Sequence, residues 1–343
     1  MYIPDCDRII QGSTDITKVY QGNTIVWQQN SGSVGDDIWY TSKYQDVVTP
    51  YTTNGFGSNF VSNNYYPNDD YGIILFDGNV TAIPREAFHD CSTLSSIKIP
   101  ETTTSIGYHA FADCRSLTGI TIPDSVASIG SGAFMYCRDL RSAILPKYIT
   151  TINSYTFSGC EKLTGITIPN SVTSIRERAF YACYVFSNVN IPSGVTSIGM
   201  YAFFGCRGLS SITIPDSVIA LGEGAFYNCI ALTSVTLSNN ITSIEDDTFN
   251  LCWRLPEITI PNGVTYIGGD AFNYCSALSS VTMPNSVIKI NTDAFSFTAL
   301  SDINYNGTME KWNYIDISST WNRGCPEITV HCTNGDIIIP PYS

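Results

Sequence analysis

Histidine is scarce in this sequence, and its three copies are His89, His109 and His331. An activated nucleophile needs a base beside it, and a zinc site needs several nitrogen or sulfur ligands at short spacing. His89 and His109 stand at positions that do not correspond within the repeat described below, and none of the three has a ligand pattern around it. The sequence therefore predicts scattered surface histidines and no catalytic or metal-binding group.

The densest group of carboxylates is the run formed by Glu245, Asp246 and Asp247. Neighbouring acids suit a hard cation such as Ca²⁺, but a calcium loop alternates its ligands and places a glycine at the turn, and both features are missing here. A solvated edge is the favoured interpretation. Because no acid–base pair or nucleophile stands out, the sequence predicts a protein that is not an enzyme and that carries no cofactor.

Cysteine carries the strongest pattern in the chain, because nine of its 12 copies recur at intervals of 23 residues. The members of this column are Cys91, Cys114, Cys137, Cys160, Cys183, Cys206, Cys229, Cys252 and Cys275, and Thr298 takes the next place. Three interpretations are open: buried free thiols that pack as small apolar side chains, disulfides between neighbouring coils, or a metal site. Free thiols are favoured, because nine cannot pair completely and the column has no zinc-ligand spacing.

Phenylalanine repeats in the same register, three residues before each position of that column. The ten residues are Phe88, Phe111, Phe134, Phe157, Phe180, Phe203, Phe226, Phe249, Phe272 and Phe295. A fixed period of 20–29 residues with regular apolar positions is typical of a leucine-rich-repeat solenoid. We therefore predict a β-rich solenoid, a right-handed coil of about ten 23-residue units with N- and C-terminal caps and a small N-terminal β module.

One unit, residues 114–134, shows how a coil is built. Leu117, Ile120 and Ile122 alternate with polar residues as a strand requires, and Pro123 ends the strand because it has no N–H to donate. A second apolar pair makes the return arm, and two glycines allow the bend back to Phe134. One coil cannot bury its own apolar face, so neighbouring coils must stack about 4.8 Å apart.

The ends of the chain depart from this register and suggest the domain organisation. We predict a small β-hairpin attachment module at 1–30, a linker at 31–37, an N-terminal cap at 38–70 over the exposed first coil, the solenoid at 71–305 and a C-terminal cap at 306–343. A short helix is predicted around residues 310–314. Cys325 and Cys332 fall outside the array, and they are either free, which is favoured, or joined in a small disulfide.

Composition excludes several classes of partner. The net charge is −13 and only 14% of residues are charged, so the clustered lysine and arginine that nucleic acids and anionic membranes require are absent. No apolar run approaches the roughly 20 residues of a membrane span. The first residues lack a basic start and an apolar stretch, so we expect no secretory signal and no direct membrane insertion.

The repeat unit resembles the BspA-like, Treponema-type leucine-rich repeats over about residues 71–305. Residues 122–126 (IPDSV) and 133–140 (AFMYCRDL) carry the match. The resemblance implies non-catalytic, extracellular binding, often adhesion to host proteins or other cells, in gut and oral bacteria. The segment at 19–24 (VYQGNT) is similar to segments of gut bacterial and phage structural proteins, which implies docking of the N-terminal module on a carrier protein or virion.

Aromatic residues vary between units at outward positions, and we predict that they align into a binding stripe. The candidates are Tyr136, Tyr155, Tyr181, Tyr184, Tyr201, Phe204, Tyr227, Trp253 and Tyr274. Exposed aromatics on a rigid scaffold are typical of protein interfaces, although the same rings can simply cover the coil edges. A second candidate is the Ser- and Thr-rich outer face of the strands, which suits a glycan and is also ordinary sheet surface.

These features favour a non-enzymatic recognition or adhesion protein that presents a rigid surface to a protein or cell-surface ligand. It is displayed on a gut or oral bacterium, or on a phage virion, which the Met1 start without an export signal favours. The alternative is a structural spacer or decoration protein of a phage particle that binds no ligand.

Overall fold

The computed structural model describes residues 8–11, 16–21, 24–28 and 37–342. The first three segments are strands β1 (Arg8–Gln11), β2 (Ile16–Gln21) and β3 (Thr24–Gln28), which pair antiparallel in that order. The predicted linker at 31–37 lies outside the described residues except for Asp37.

The solenoid is built from two series of parallel strands, one on each side of the coil. The longer strands are β6 (Tyr71–Phe76), β8 (Leu94–Lys98), β10 (Gly119–Thr121), β12 (Ser142–Ile144), β16 (Ser211–Thr213), β18 (Ser234–Thr236), β20 (Glu257–Thr259), β22 (Ser280–Met283), β24 (Asp302–Tyr305) and β26 (Ile328–Cys332). The shorter strands are β7 (Ala82–Ile83), β9 (Ser105–Ile106), β11 (Ser128–Ile129), β13 (Thr151–Ile152), β14 (Ser174–Ile175), β15 (Ser197–Ile198), β17 (Ala220–Leu221), β19 (Ser243–Ile244), β21 (Tyr266–Ile267), β23 (Lys289–Ile290) and β25 (Asp316–Ile317). The eleven short strands mark eleven turns of a β-solenoid, which confirms the predicted fold class.

Alternation along each strand decides which side chains enter the core. In β16, Ile212 is buried between exposed Ser211 and Thr213. In most coils a proline follows the strand, and where a valine stands three residues on, the proline carbonyl accepts its N–H, as in Pro215 to Val218 at 2.9 Å. The strand thus ends in a turn whose valine returns to the core.

The two glycines of the predicted bend serve different purposes. Gly132 has φ +63°, a left-handed conformation that strains other residues. Gly130 has no such φ, but a Cβ there would lie 2.4 Å from the backbone nitrogen of Tyr108 in the neighbouring coil. Gly132 therefore makes without strain a turn that other coils make with residues such as His109, and Gly130 allows the close approach of two coils.

The ten phenylalanines form one continuous stack through the core, as predicted. Each ring is fully buried, and successive ring centroids lie 5.0–5.7 Å apart with nearly parallel planes. The stack ends against an edge-on ring on each side, Phe56 beyond Phe88 at 6.3 Å and Trp321 beyond Phe295 at 5.9 Å. The two caps thus close the stack with aromatic side chains of their own.

The cysteine column is a ladder of free thiols with a polar contact as well as an apolar one. The thiols of Cys114 to Cys275 each lie 3.1–3.4 Å from the phenylalanine carbonyl of the preceding coil, to which the S–H donates. The eleven cysteines of the described residues are all free, which confirms the favoured interpretation and makes the Cys325–Cys332 disulfide alternative wrong. Burial raises the pKa of thiols such as Cys137 and Cys183.

This ladder predicts the thiol chemistry of the protein. Native protein should react slowly with a disulfide reagent such as DTNB, because only the thiolate attacks and burial disfavours the charged form. Among the cysteines of the described residues, half-exposed Cys332 should react first, whereas the pKa of Cys91 is raised by burial to about 12 and its reaction should lag. After denaturation without reductant, at least eleven thiols should titrate at once; a count of four or fewer would contradict the ladder.

The array continues for one turn beyond the predicted boundary at 305. β26 pairs in parallel with β24, and Cys325 joins the thiol ladder, 27 residues after Thr298, by donating to the carbonyl of Phe295 at 3.1 Å. Trp321 covers the Phe295 ring edge-on, while Asn322 stands at the phenylalanine position, three residues before Cys325. The extra residues of this longer turn include helix α1 (Met309–Trp312), which is capped by Thr308 and buries Trp312. The predicted placement of Cys325 outside the array is therefore corrected.

The N-terminal cap inserts into the solenoid as well as covering it. β4 (Ile38–Ser42) lies between β6 and β8 and pairs antiparallel with both, while β5 (Phe60–Tyr66) pairs with the other edge of β6. On the short-strand side, β7 pairs directly with β9. At the far end, β27 (Gly335–Ile339) pairs antiparallel with β26 and completes the cap.

Candidate binding surface

The predicted aromatic stripe is continuous only at its centre. Tyr181, Phe204 and Tyr227 occupy the position two before the cysteine in three successive coils. The Tyr181 and Phe204 rings stack at 4.5 Å, and the Phe204 and Tyr227 rings at 4.9 Å. All three side chains are half-buried, so they both cover the coil edge and present ring surface to solvent.

A second line of side chains lies beside this stack, at the position five before the cysteine. The guanidinium of Arg178 lies between Tyr155 and Tyr201, with its carbon 5.6 and 5.2 Å from the two ring centroids. It also donates to the Tyr155 hydroxyl at 2.6 Å and forms an ion pair with Glu177. Tyr201 meets Phe204 edge-on at 5.9 Å, which joins the two lines. We call Tyr155, Arg178, Tyr181, Tyr201, Phe204 and Tyr227 the aromatic cluster.

The backbone holds part of this cluster in an unusual conformation. Tyr155 and Tyr201 have φ +60° and +54°, in the left-handed region that bulky residues rarely adopt. Two other coils place glycine there, Gly132 and Gly224, and a Cβ at Gly224 would come within 2.1 Å of the Tyr201 ring, so this tyrosine rests on the glycine of the next coil. The remaining coils make the same turn with Glu86, His109, Arg178, Asp247, Asp270 and Asp293. The left-handed conformation is therefore a feature of the repeat and is not specific to the two tyrosines.

The remaining predicted residues lie outside this cluster and are more exposed. Tyr136 rests on Gly159, Tyr184 packs under Arg207 at 4.9 Å, and Tyr274 stacks on Phe297 at 4.7 Å. Trp253 is 49% exposed and stands apart from both groups. The structure therefore divides the nine predicted residues into a central five and a periphery of four.

Carboxylates follow the aromatic cluster on the next coils. We call Glu223, Asp246, Asp247 and Asp270 the acidic group. The Tyr201 hydroxyl donates to Glu223, which raises the pKa of that phenol together with burial. Burial, and after it the charge of Asp270, raises the pKa of Asp247. Burial, and after it the charge of Asp293, raises the pKa of Asp270. Burial also raises the pKa of Tyr227, with further contributions from Asp247 and Asp270.

Comparison with known proteins identifies the family to which the repeat belongs. A family model described as BspA type leucine-rich repeat region matches residues 19–140, 81–210 and 196–316, with six copies. The chain belongs to this BspA-type family. No curated protein matches the sequence.

Solved structures similar to this BspA-type chain come from several bacteria. A leucine-rich cell surface protein of Faecalibacterium prausnitzii is 30% identical, covering 76% of this chain and 89% of its own, with a TM-score of 0.38. A leucine-rich repeat protein of Eubacterium ventriosum is 23% identical, covering 76% and 86%, with a TM-score of 0.51. One from Bacteroides ovatus is 24% identical, covering 81% and 97%, with a TM-score of 0.49.

Sequence reasoning missed the charged members of this surface. Arg178 lies 23 residues after Tyr155 and 23 before Tyr201, and Asp247 and Asp270 continue the same column. The 23-residue spacing in the sequence is thus a sufficient signal for these charged residues. An alignment of the outward positions of all coils, whatever their residue type, places Arg178, Asp247 and Asp270 in line with Tyr155 and Tyr201.

The Ser- and Thr-rich strand face is interrupted in the middle of the array. Between β12 and β16, two coils keep only an isolated bridge from Gly165 to Asn188. A shallow depression of about 630 Å³ opens there, lined by polar residues that include Thr167 and Asn190. Because β8 and β10, and β18 and β20, also belong to separate sheets, the predicted hydroxyl lattice is divided into several short sheets.

The histidines are surface residues engaged with neighbours. His109 stacks on Tyr108 at 3.8 Å, and the His89 ring lies 6.5 Å away. His331 lies 3.1 Å from Asp336 and 3.3 Å from Asp302, and these carboxylates raise its pKa. Within the described ranges, no three His, Cys, Asp or Glu side chains converge on a metal-sized space. The same part of the chain has no helix long and apolar enough to cross a bilayer.

Proposed function

We propose that this BspA-type protein is a non-enzymatic recognition protein that binds a protein on a cell surface through the aromatic cluster. The observation that carries the proposal is the stack of Tyr181, Phe204 and Tyr227, whose rings are fixed by their neighbours yet half-open to solvent. Rigid aromatic side chains contribute large contact area at a small cost in rotamer entropy. The stacked core beneath them keeps the cluster in place without a ligand, which lowers the cost of binding.

A similar protein of known location supports a proposal for where this protein acts. The similar protein of Faecalibacterium prausnitzii is a cell surface protein. We propose that this chain is likewise presented outside the cell, where a rigid solenoid can reach a partner on another cell and act in adhesion.

The test removes two rings of the stack. The variant Tyr181→Ala with Tyr227→Ala should bind cultured intestinal epithelial cells at least about 30-fold more weakly than the unaltered chain, because hot-spot aromatics contribute about 2 kcal/mol or more each. Binding of the fluorescently labelled full chain is measured by flow cytometry, and circular dichroism checks that the fold persists.

The matched control removes two rings elsewhere, Tyr44→Ala with Tyr314→Ala, which are 68% and 87% exposed. It should bind as the unaltered chain does. Equal binding by all three proteins would reject the aromatic cluster as the site. Absence of binding by the unaltered chain would reject cell recognition and favour a structural spacer.

A further inference from the structure

The aromatic cluster and the acidic group form one continuous surface along the solenoid. The backbone N–H of Tyr201 bonds the carbonyl of Glu223 at 2.8 Å, and the N–H of Gly224 bonds that of Asp246 at 2.9 Å. Asp247 bonds the carbonyl of Gly269 in the same way. These bonds place the aromatic and acidic positions on adjacent coils, with Gly224 between Tyr201 and Asp247 in their column.

The acidic group forms no ion pair within the described residues, although the charge of nearby Arg323 acts on Asp270. Several acids elsewhere on the array are paired with a basic neighbour, as Asp293 is with Arg323. The acids of the group bond only neutral donors: Asn250 and Asn273 donate to Asp247 and Asp270, and Gly269 donates to Asp246. Four carboxylates on neighbouring coils therefore repel one another, and a cation bound among them relieves that repulsion.

Asn250 gives a separate indication that this surface is incomplete. It occupies the position after Tyr227 in the stacking column, and its side chain is only 6% exposed. Its amide nitrogen points at Asp247, while its Oδ1 has no hydrogen-bond partner among the described residues. A buried amide oxygen without a donor is costly, so this side chain gains from a ligand that brings an N–H donor to Asp247.

We propose that the aromatic cluster and the acidic group together bind an extended polypeptide segment that carries arginine or lysine beside an aromatic or aliphatic side chain. This inference rests on the proposed function and specifies the chemistry of the partner. The apolar side chain lies on the Tyr181–Phe204–Tyr227 stack, and the cationic side chain lies among the carboxylates. Five coils separate Tyr181 from Asp270 inclusively, a length that about six extended residues span.

Charge complementarity favours this occupant over a second copy of the chain. The protein has a net charge of −13, so two copies repel each other, whereas a basic segment is attracted. The one cation of the aromatic cluster, Arg178, is already engaged by Glu177 and Tyr155, so it offers little to an acidic partner.

The experiment compares three fluorescein-labelled peptides that share a tyrosine–serine framework, with arginine, glutamate or serine at the variable positions. Fluorescence anisotropy with the full chain gives the dissociation constants. The arginine peptide should bind most tightly and the glutamate peptide least. Asp247→Asn with Asp270→Asn should weaken the arginine peptide about tenfold and leave the serine peptide unchanged, because only a charge-dependent contact is lost.

The matched control, Glu101→Gln with Glu327→Gln, removes the same charge at exposed positions distant from the cluster in sequence. It should keep the affinity of the unaltered chain for the arginine peptide within about twofold. Three results would overturn the proposal. The two variants could lose the same affinity for the arginine peptide, the unaltered chain could bind the glutamate peptide as tightly as the arginine peptide, or it could fail to bind the arginine peptide. Light scattering provides one more test. If the unaltered chain is a dimer and the Asp247→Asn with Asp270→Asn variant is a monomer, the proposal is overturned, because the surface then binds a second copy of the chain.

The outcomes separate this inference from the proposed function. Loss of cell binding in the variant without the Tyr181 and Tyr227 rings, together with no preference for arginine, would sustain recognition by the aromatic cluster and reject the basic partner. If the variant without the two rings binds cells as tightly as the unaltered chain does, the aromatic cluster is rejected as the binding site.

Discussion

Phe180→Ala should lower the free energy of unfolding by about 3–5 kcal/mol. The Phe180 ring is fully buried and lies in the middle of the stack, 5.7 Å from Phe157 and 5.3 Å from Phe203, with Phe186 at 5.2 Å on a third side. Removing it leaves a cavity that the coils above and below cannot fill, because backbone hydrogen bonds fix their spacing.

A mid-array position magnifies this effect. In a solenoid each coil contacts only its neighbours, so stability depends on an unbroken series of coil–coil interfaces. Loss of Phe180 weakens two of them at once and should divide the array into halves that unfold in separate transitions. Urea denaturation followed by circular dichroism measures this, with Tyr148→Ala, 65% exposed, as the aromatic control. An unchanged midpoint in Phe180→Ala would show that the stack does not carry the stability.

Trp321→Ala should also lower the free energy of unfolding by about 3–5 kcal/mol, but only for the C-terminal turns of the solenoid. Trp321 is 5% exposed, closes the stack edge-on against Phe295, and meets Trp312 of α1 at 6.4 Å. Without it the last phenylalanine loses its cover, and the terminal turn that contains α1 loses its main apolar contact. Terminal coils without a cap fray, because their outer apolar face meets water.

Native-state hydrogen exchange measures the difference between these two variants. In Trp321→Ala, the amides of β24, β26 and β27 should exchange much faster, while those of β9 and β11 keep their protection. Trp253→Ala, which removes the same side chain from a 49% exposed position, should change neither group. Uniform loss of protection along the whole array would contradict local fraying and indicate a single cooperative unit.

The sequence by itself determined the coil and its core. The 23-residue recurrence of phenylalanine and cysteine located the ten stacked rings from Phe88 to Phe295 and the free thiols of the column, because one coil can bury its apolar face only against the next. A strict period also limited the prediction, and buried Phe186 lies outside it. The turn that contains α1 is longer, so the period missed Cys325, which continues the thiol column, and Trp321, which covers the end of the ring stack.

The tertiary structure decided how the ends close and which surface residues meet. The insertion of β4 between β6 and β8 depends on long-range antiparallel pairing, and no local pattern encodes the partner of a strand. The same holds for the contact of Arg178 with both Tyr155 and Tyr201. Column membership follows from the sequence, but whether two rings stack, as Tyr181 and Phe204 do, or stand apart, as Trp253 does, depends on side-chain rotamers and on the left-handed turns that aim them.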